Sequence, residues 1–147
     1  MHTITRSEQE TIDLAIKCAN TLVPRDVVLL HGELGTGKTC FVRGLCQGLG
    51  GDPSQVHSPT YTIVHEYEIA SGNRLVHIDA YRLKGEEELD SIGLEDLLAD
   101  TRSIFAIEWP SKIEGSLPTN AIKITIEHVG RQERLITMCQ SDSGDMA

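Results

Sequence analysis

The chain has 147 residues, of which 39% are hydrophobic and 24% are charged, and these values are typical of one globular domain with a buried core. The 22 acidic residues outnumber the 13 basic ones and give a formal net charge of −9, which argues against tight, direct binding to a nucleic-acid backbone. A basic partner, or a partner that itself holds nucleic acid, fits this charge better. The apolar runs are too short to span a bilayer, so we expect no membrane association.

The four cysteines, Cys18, Cys40, Cys46 and Cys139, have no C-x-x-C spacing. Zinc binding and thioredoxin-type chemistry are therefore poorly supported. We expect reduced thiols that fill apolar space. Because the N-terminus also lacks the apolar core of a signal peptide, we predict a cytoplasmic protein.

The first third of the chain predicts a helix, a strand and a second helix. Residues 7–23 are expected to form an amphipathic helix, because Ser7 and Glu10 make a capping box and apolar residues follow at helical spacing. Val27–His31 is a short, nearly all-apolar run, which is typical of a strand buried on both faces. A glycine-rich stretch follows, and residues 38–49 are predicted to form the second helix.

The middle of the chain predicts a hairpin, a helical segment and another strand. Residues 60–68 alternate between apolar and polar side chains, and residues 74–79 are the returning strand. Residues 86–98 are acidic with regularly spaced leucines, which indicates one or two short helices. Residues 104–107 form another buried apolar run and are predicted to be a strand.

The end of the chain predicts two strands around Val129 and Gly130, followed by a polar tail over residues 141–147. We see neither an internal repeat nor a linker. We therefore predict one α/β domain over residues 1–140, with a mixed, mainly parallel central sheet and flanking helices.

Gly32–Thr39 matches the phosphate-binding pattern G-x-x-x-x-G-K-[ST] of P-loop proteins. Its glycines let the backbone turn successive N–H groups towards a phosphate, and the following helix N-terminus favours an anion. Lys38 is expected to bridge phosphate oxygens, and the Thr39 hydroxyl to bind Mg²⁺. The residues predicted to contact the nucleotide in this segment are Gly32, Glu33, Leu34, Gly35, Thr36, Gly37, Lys38, Thr39 and Cys40.

A P-loop site also needs an acidic residue at the end of a nearby strand to hold the metal. Asp79 and Glu108 both follow apolar runs and are the two candidates, since strand ends line the ligand crevice of an open α/β sheet. Residues 54–60 contain hydroxyl groups and a proline. They predict either a switch that senses the γ-phosphate or an ordinary turn.

The remaining aromatic and imidazole groups have less specific patterns. His57, His65 and His77 recur along the chain without helix-face spacing, so we interpret them as surface or core histidines rather than as a metal triad. Trp109 follows Glu108 directly. Its indole is expected either to pack on the core or to lie at the mouth of the site.

Four segments taken together resemble the TsaE family (also called YjeE), the bacterial ATPases of tRNA threonylcarbamoyladenosine biosynthesis. They are residues 32–39, Ser-Pro-Thr-Tyr-Thr at 58–62, His-Ile-Asp-Ala-Tyr-Arg-Leu at 77–83 and Glu-Trp-Pro at 108–110. The resemblance implies a P-loop protein that binds ATP and Mg²⁺ and hydrolyses ATP slowly alone. It also implies action with the partner proteins TsaB and TsaD, which would hold the tRNA.

The resemblance also implies roles for individual residues. Lys38 would hold the phosphates and serve in catalysis, while Thr39 and Glu108 would bind Mg²⁺. Asp79 would match the acidic residue of the Walker-B-like strand and orient the attacking water. Thr60 would lie in the switch-like segment and serve in catalysis with Lys38 and Asp79.

Trp109 would lie near the nucleotide, and Arg131 is our candidate for a contact with adenine. A small-molecule kinase is the alternative function, but such kinases need a lid with arginines, and only Arg131 and Arg134 lie close together in a last third that predicts strands. A GTPase is less favoured, because no Asn-Lys-x-Asp is present to read guanine. A pure nucleotide-binding switch needs the same residues as an ATPase.

Overall fold

The computed structural model describes residues 1–33, 35–57, 64–83 and 92–140. In chain order its helices and strands are β1 His2–Thr5, α1 Glu8–Ala19, β2 Val27–His31, α2 Lys38–Gly48, β3 Val64–Glu68, β4 Arg74–Asp79, α3 Leu94–Ala99, β5 Ser103–Glu108, β6 Ile122–His128 and β7 Arg134–Gln140. Within the described residues no helix is both long and apolar enough to cross a membrane.

The strands form one sheet in the order β1-β7-β6-β2-β5-β4-β3. The four central strands β6, β2, β5 and β4 are parallel, whereas β3 on one side and β7 and β1 on the other pair antiparallel. This confirms the predicted α/β fold with a mixed sheet, and the parallel part lies at the centre. The last third forms strands as predicted.

The core lies on both faces of the sheet. One apolar cluster packs beneath α1 and α2, and a second cluster lies on the opposite face beside α3. Strand β2 contributes to both clusters, which confirms the prediction that Val27–His31 is buried on both faces. Cys18, Cys40 and Cys46 are buried free thiols, as expected for apolar fillers, and burial raises the pKa of each to about 11. For Cys139 the expectation is wrong, because this thiol is exposed near the end of β7.

Helix α1 is shorter than the predicted 7–23, and it ends where Thr21 donates its hydroxyl and its backbone N–H to the Cys18 carbonyl. At the start of the helix Ser7 Oγ accepts a hydrogen bond from the Glu10 amide at 3.1 Å. The Glu10 carboxylate accepts from the Arg6 amide, one residue before the expected capping partner. The predicted cap is therefore present in a shifted form.

Some predicted segments are only partly described. The hairpin of β3 and β4 is confirmed, but residues 60–63 of its first strand lie outside the described residues. The same holds for residues 86–91 of the acidic helical segment, of which α3 is the described part. The predicted tail, residues 141–147, also lies outside them.

Candidate nucleotide-binding site

The glycine-rich loop joins the buried end of β2 to the start of α2. Gly35 and Gly37 have φ values of 78° and 109°, in the left-handed region where side chains are disfavoured. A Cβ on Gly32 would lie only 2.7 Å from the Ile126 carbonyl oxygen. Gly37 caps α2 without a side-chain hydrogen bond, so the first amides of the helix are left for an anion.

Lys38 points back into this loop and is 5% exposed. Its Nζ donates to the carbonyl oxygens of Gly32 at 2.5 Å and Glu33 at 2.9 Å, and it lies 4.1 Å from the centroid of the Trp109 ring. Burial lowers the pKa of Lys38, while the nearby Glu108 carboxylate opposes this shift. The ammonium is thus held by neutral carbonyl groups that a phosphate oxygen can replace.

Thr39 and Glu108 meet at the same edge of the sheet. Thr39 Oγ1 donates to Glu108 Oε2 at 3.4 Å, and Glu108 is 4% exposed. In the register of β4 and β5, Asp79 lies directly opposite Glu108. Asp79 accepts a hydrogen bond from the Tyr81 amide at 2.9 Å, and burial raises the pKa of its carboxyl group. The structure therefore brings both predicted carboxylates to the start of α2.

Thr39 and Glu108 have the chemistry of a Mg²⁺ site that is completed by a nucleotide. Both supply oxygen, the ligand that Mg²⁺ prefers. The described residues contain no group of three or more His, Cys, Asp or Glu side chains that would hold a metal alone. Nucleotide-bound Mg²⁺ needs only one or two protein oxygens besides phosphate and water, so the pair fits this role.

Trp109 lies at the mouth of the site and also packs against the second core cluster. It has a φ of 58°, its amide donates to the Leu30 carbonyl at 3.3 Å, and its ring covers the Lys38 ammonium. The centroid of the Tyr81 ring lies 5.0 Å from the centroid of the Trp109 ring. The sequence left open whether the indole packs on the core or lies at the mouth of the site, and in the structure it does both.

Two site residues were missed by sequence reasoning, and His77 is the first. It is fully buried, as expected for a core histidine, but its Nε2 lies 2.5 Å from Glu108 Oε2 and its Nδ1 lies 3.1 Å from the Tyr67 hydroxyl. The available signal was its spacing, because residues two apart on a strand share a face and Asp79 is two residues on.

Arg134 is the second missed residue. Its Nε donates to the Thr36 carbonyl at 2.9 Å and so supports the loop from β7. Arg131, in the turn between β6 and β7, is exposed, and its contact with adenine stays a prediction. A pocket of about 500 Å³ opens beside the loop, and its lining residues are His31, Gly32, Glu33, Thr36, Trp109, Ser111, Thr125, Ile126, Glu127 and His128.

The other predicted contacts divide into two groups. Leu34 and Thr60 lie outside the described residues, so their roles stay predictions. Cys40 is buried on α2 and its Sγ lies 3.7 Å from the Glu8 carbonyl oxygen. The Cys40 thiol thus faces α1, and its backbone amide is the group that remains for a phosphate.

A buried parallel strand, a glycine-rich loop, an enclosed lysine and a hydroxyl–carboxylate pair define a P-loop nucleotide-binding domain. The family model described as "Threonylcarbamoyl adenosine biosynthesis protein TsaE" matches residues 5–136 of this chain. The chain therefore belongs to the TsaE family.

Relatives of known name and structure agree with this membership. Proteins named "tRNA threonylcarbamoyladenosine biosynthesis protein TsaE" are 42% identical in Haemophilus influenzae, over 80% of this chain and 73% of the relative, and 38% identical in Bacillus subtilis, over 90% and 81%. The crystal structure of Bacillus subtilis YdiB superposes with a TM-score of 0.77 at 30% identity, covering 99% of this chain and 89% of that one.

Proposed function

We propose that this protein binds ATP with Mg²⁺ at the P-loop, hydrolyses it slowly, and serves tRNA threonylcarbamoyladenosine biosynthesis in the cytoplasm. The observation that carries the proposal is the meeting of Lys38 with Thr39 and Glu108 at the N-terminus of α2, with Asp79 beside them. The names of the relatives support the pathway.

The proposed roles follow from the chemistry of each group. The loop amides and Lys38 bind the phosphates, and Lys38 exchanges its two carbonyl partners for phosphate oxygens as it does so. Thr39 and Glu108 would hold Mg²⁺, whose charge would offset that of the phosphates. Asp79 orients the attacking water, and its raised pKa makes its carboxylate a stronger proton acceptor.

The base of the nucleotide is proposed to enter the pocket beside the loop. The volume of about 500 Å³ is within the usual range for small-molecule sites. Trp109 offers an aromatic wall, and Thr125–His128 offer the polar end of β6. This pocket lies on the β6 side of the P-loop, away from Asp79 on β4, which leaves room for the phosphates between the two.

TsaB- and TsaD-type proteins are the proposed partners, and tRNA is reached through them. The net charge of −9 supports this arrangement, since the chain offers few positive charges to a phosphate backbone. The energy of hydrolysis is then used to change the state of a protein complex.

The test is ATP hydrolysis by the full chain, with and without TsaB and TsaD, and with Mg²⁺ or a chelator. We expect slow hydrolysis alone, a rise with both partners, and loss on chelation. Absence of stimulation contradicts the subunit role but leaves nucleotide binding intact. Transfer of the phosphoryl group to a small metabolite indicates the kinase instead.

The two carboxylates are separated by a pair of isosteric variants. Glu108→Gln should raise the Mg²⁺ concentration needed for hydrolysis, because one charged ligand is removed. Asp79→Asn should lower the turnover rate at saturating Mg²⁺ while leaving the Mg²⁺ requirement unchanged. The reverse pattern means that the roles of Asp79 and Glu108 are exchanged.

A further inference from the structure

A line of buried hydrogen bonds runs from β3 to Glu108. The Tyr67 hydroxyl lies 3.1 Å from His77 Nδ1, and His77 Nε2 lies 2.5 Å from Glu108 Oε2. Tyr67 is 3% exposed, His77 0% and Glu108 4%. Burying an imidazole ring costs free energy of folding unless its polar atoms have hydrogen-bond partners, and here both ring nitrogens have one.

The chemistry of the three groups fixes the direction of these bonds. An ionised carboxylate only accepts hydrogen bonds, so His77 Nε2 carries a proton and donates it to Glu108. In the neutral ring Nδ1 then accepts from the Tyr67 hydroxyl. Burial raises the pKa of Tyr67 to about 12, so its hydroxyl keeps the proton that it donates. The Glu108 carboxylate therefore sets the tautomer of His77, and the Tyr67 hydroxyl complements it by donating to Nδ1.

Both hydrogen bonds to the Glu108 carboxylate end on one oxygen. Thr39 and His77 each donate to Oε2, and Oε1 has no hydrogen bond from another described residue. Fixing a glutamate side chain in one rotamer costs considerable conformational entropy. Because the hydrogen bond from His77 already restricts the Glu108 side chain, this cost does not have to be met when a ligand binds.

We propose that His77, held by Tyr67, is a positioning residue that fixes the Glu108 carboxylate for the Mg²⁺ of bound ATP. This inference rests on the proposed function and deepens it. Groups that hydrogen-bond to metal ligands orient those ligands, and their loss typically costs about 10- to 100-fold in metal affinity or activity. Strand β5 thus supplies the ligand Glu108, and the neighbouring strand β4 supplies His77, which holds it in place.

The experiment compares three variants of the full chain, His77→Leu, His77→Gln and Tyr67→Phe. Leucine removes both polar contacts, glutamine keeps an N–H that can reach Glu108, and phenylalanine removes only the hydroxyl. Calorimetry measures the affinity for a non-hydrolysable ATP analogue as Mg²⁺ is titrated, and again with a chelator. Thermal unfolding without nucleotide measures stability separately.

We expect His77→Leu to raise the Mg²⁺ concentration at half-saturation by about 10- to 100-fold. His77→Gln should restore much of this loss, and Tyr67→Phe should show a smaller increase than His77→Leu. Affinity for the analogue in the chelator should stay near that of the unchanged protein. If His77→Leu does not fold, Tyr67→Phe is compared with the unchanged protein, and an unchanged Mg²⁺ dependence in that variant overturns the inference.

His65→Gln is the matched control, because His65 lies opposite His77 in the register of β3 and β4 and its ring lies 6.4 Å from that of His77. It should leave the Mg²⁺ dependence unchanged. Equal Mg²⁺ dependence in all variants, or equal losses with and without Mg²⁺, overturns the inference. If the unchanged protein binds no analogue at all, the proposed function itself fails.

Discussion

At the centre of the sheet, the parallel strands β4 and β5 end at Asp79 and Glu108, and the loop after β2 holds Lys38. At the margins, the antiparallel strands contribute differently. Tyr67 on β3 and Arg134 on β7 each reach inward through one hydrogen bond, to His77 and to the Thr36 carbonyl. The central groups line the proposed nucleotide site, whereas the marginal groups hydrogen-bond to other residues of the protein.

The difference follows from strand direction. The carboxyl ends of parallel strands meet at one edge, so residues that are distant in sequence converge there. An antiparallel neighbour ends at the opposite edge, so its carboxyl end does not join this group. Tyr67 reaches inward from within β3, and Arg134 does so from the first residue of β7. Substitutions at the centre should therefore change ligand binding. Substitutions at the margins should change the stability of the protein or have a smaller effect on ligand binding.

The largest effect is expected for Lys38→Ala at the centre. The variant loses the only cation that the described loop encloses, and hydrogen bonds to charged groups contribute about 1.5–3 kcal/mol. We expect ATP affinity to fall by about 10- to 100-fold in a calorimetric titration. Lys17→Ala, at an exposed position of α1, is the control. Unchanged affinity of the Lys38 variant contradicts the assignment of the loop.

A margin prediction concerns the buried hydroxyl pair of Thr5 and Thr11, whose Oγ1 atoms lie 2.8 Å apart between β1 and α1. Replacing either threonine by valine leaves the other hydroxyl without this partner and should lower the free energy of unfolding by about 1–2 kcal/mol. The double variant should lose less than the sum of the two, as measured in urea. A change in ATP affinity would show that β1 is coupled to the site.

The sequence predicted the centre better than the margins. Val27–His31 and residues 38–49 were correct to within one residue at each end, because the P-loop motif is local and its strand and helix have strong apolar patterns. Strand β1 was missed, since its four residues become a strand only by pairing with β7, 129 to 135 positions away. Such pairing leaves little local signal.

The site shows the same division. Lys38, Thr39, Asp79 and Glu108 were identified from a motif and from strand ends, and they meet in the structure. The support of Glu108 by His77 depends on the register of β4 against β5, and that register is not readable from either strand alone. For the same reason, spacing could not show that Arg134 reaches the loop.

Arg134→Gln, on the marginal strand β7, is expected to have a moderate effect on ligand binding at the centre. Its Nε bond to the Thr36 carbonyl supports the loop at 2.9 Å, and one such bond contributes about 1 kcal/mol. ATP affinity should therefore fall by about fivefold in the same titration. Arg6→Gln, an exposed arginine beside Glu133, should leave affinity unchanged. An equal loss in both variants means that general charge, not the loop contact, matters.

Glu66→Gln should have the smallest effect. Arg74 contacts Glu66 at 2.9 Å and Asp100 at 2.8 Å, and these side chains are partly exposed. Because exposed ion pairs contribute little and Arg74 keeps Asp100, we expect a loss below about 0.5 kcal/mol in urea unfolding, reduced further at about 1 M salt.

Glu66 also provides a control for the role of Tyr67, its neighbour on β3. It is exposed on β3, whereas the next residue, Tyr67, is buried and bonded to His77. Adjacent residues of a strand face opposite sides of the sheet, so Glu66→Gln should leave the Mg²⁺ dependence of nucleotide binding as it is. If it shifts that dependence as far as Tyr67→Phe does, the effect of β3 comes from the strand as a whole and not from the Tyr67 hydroxyl.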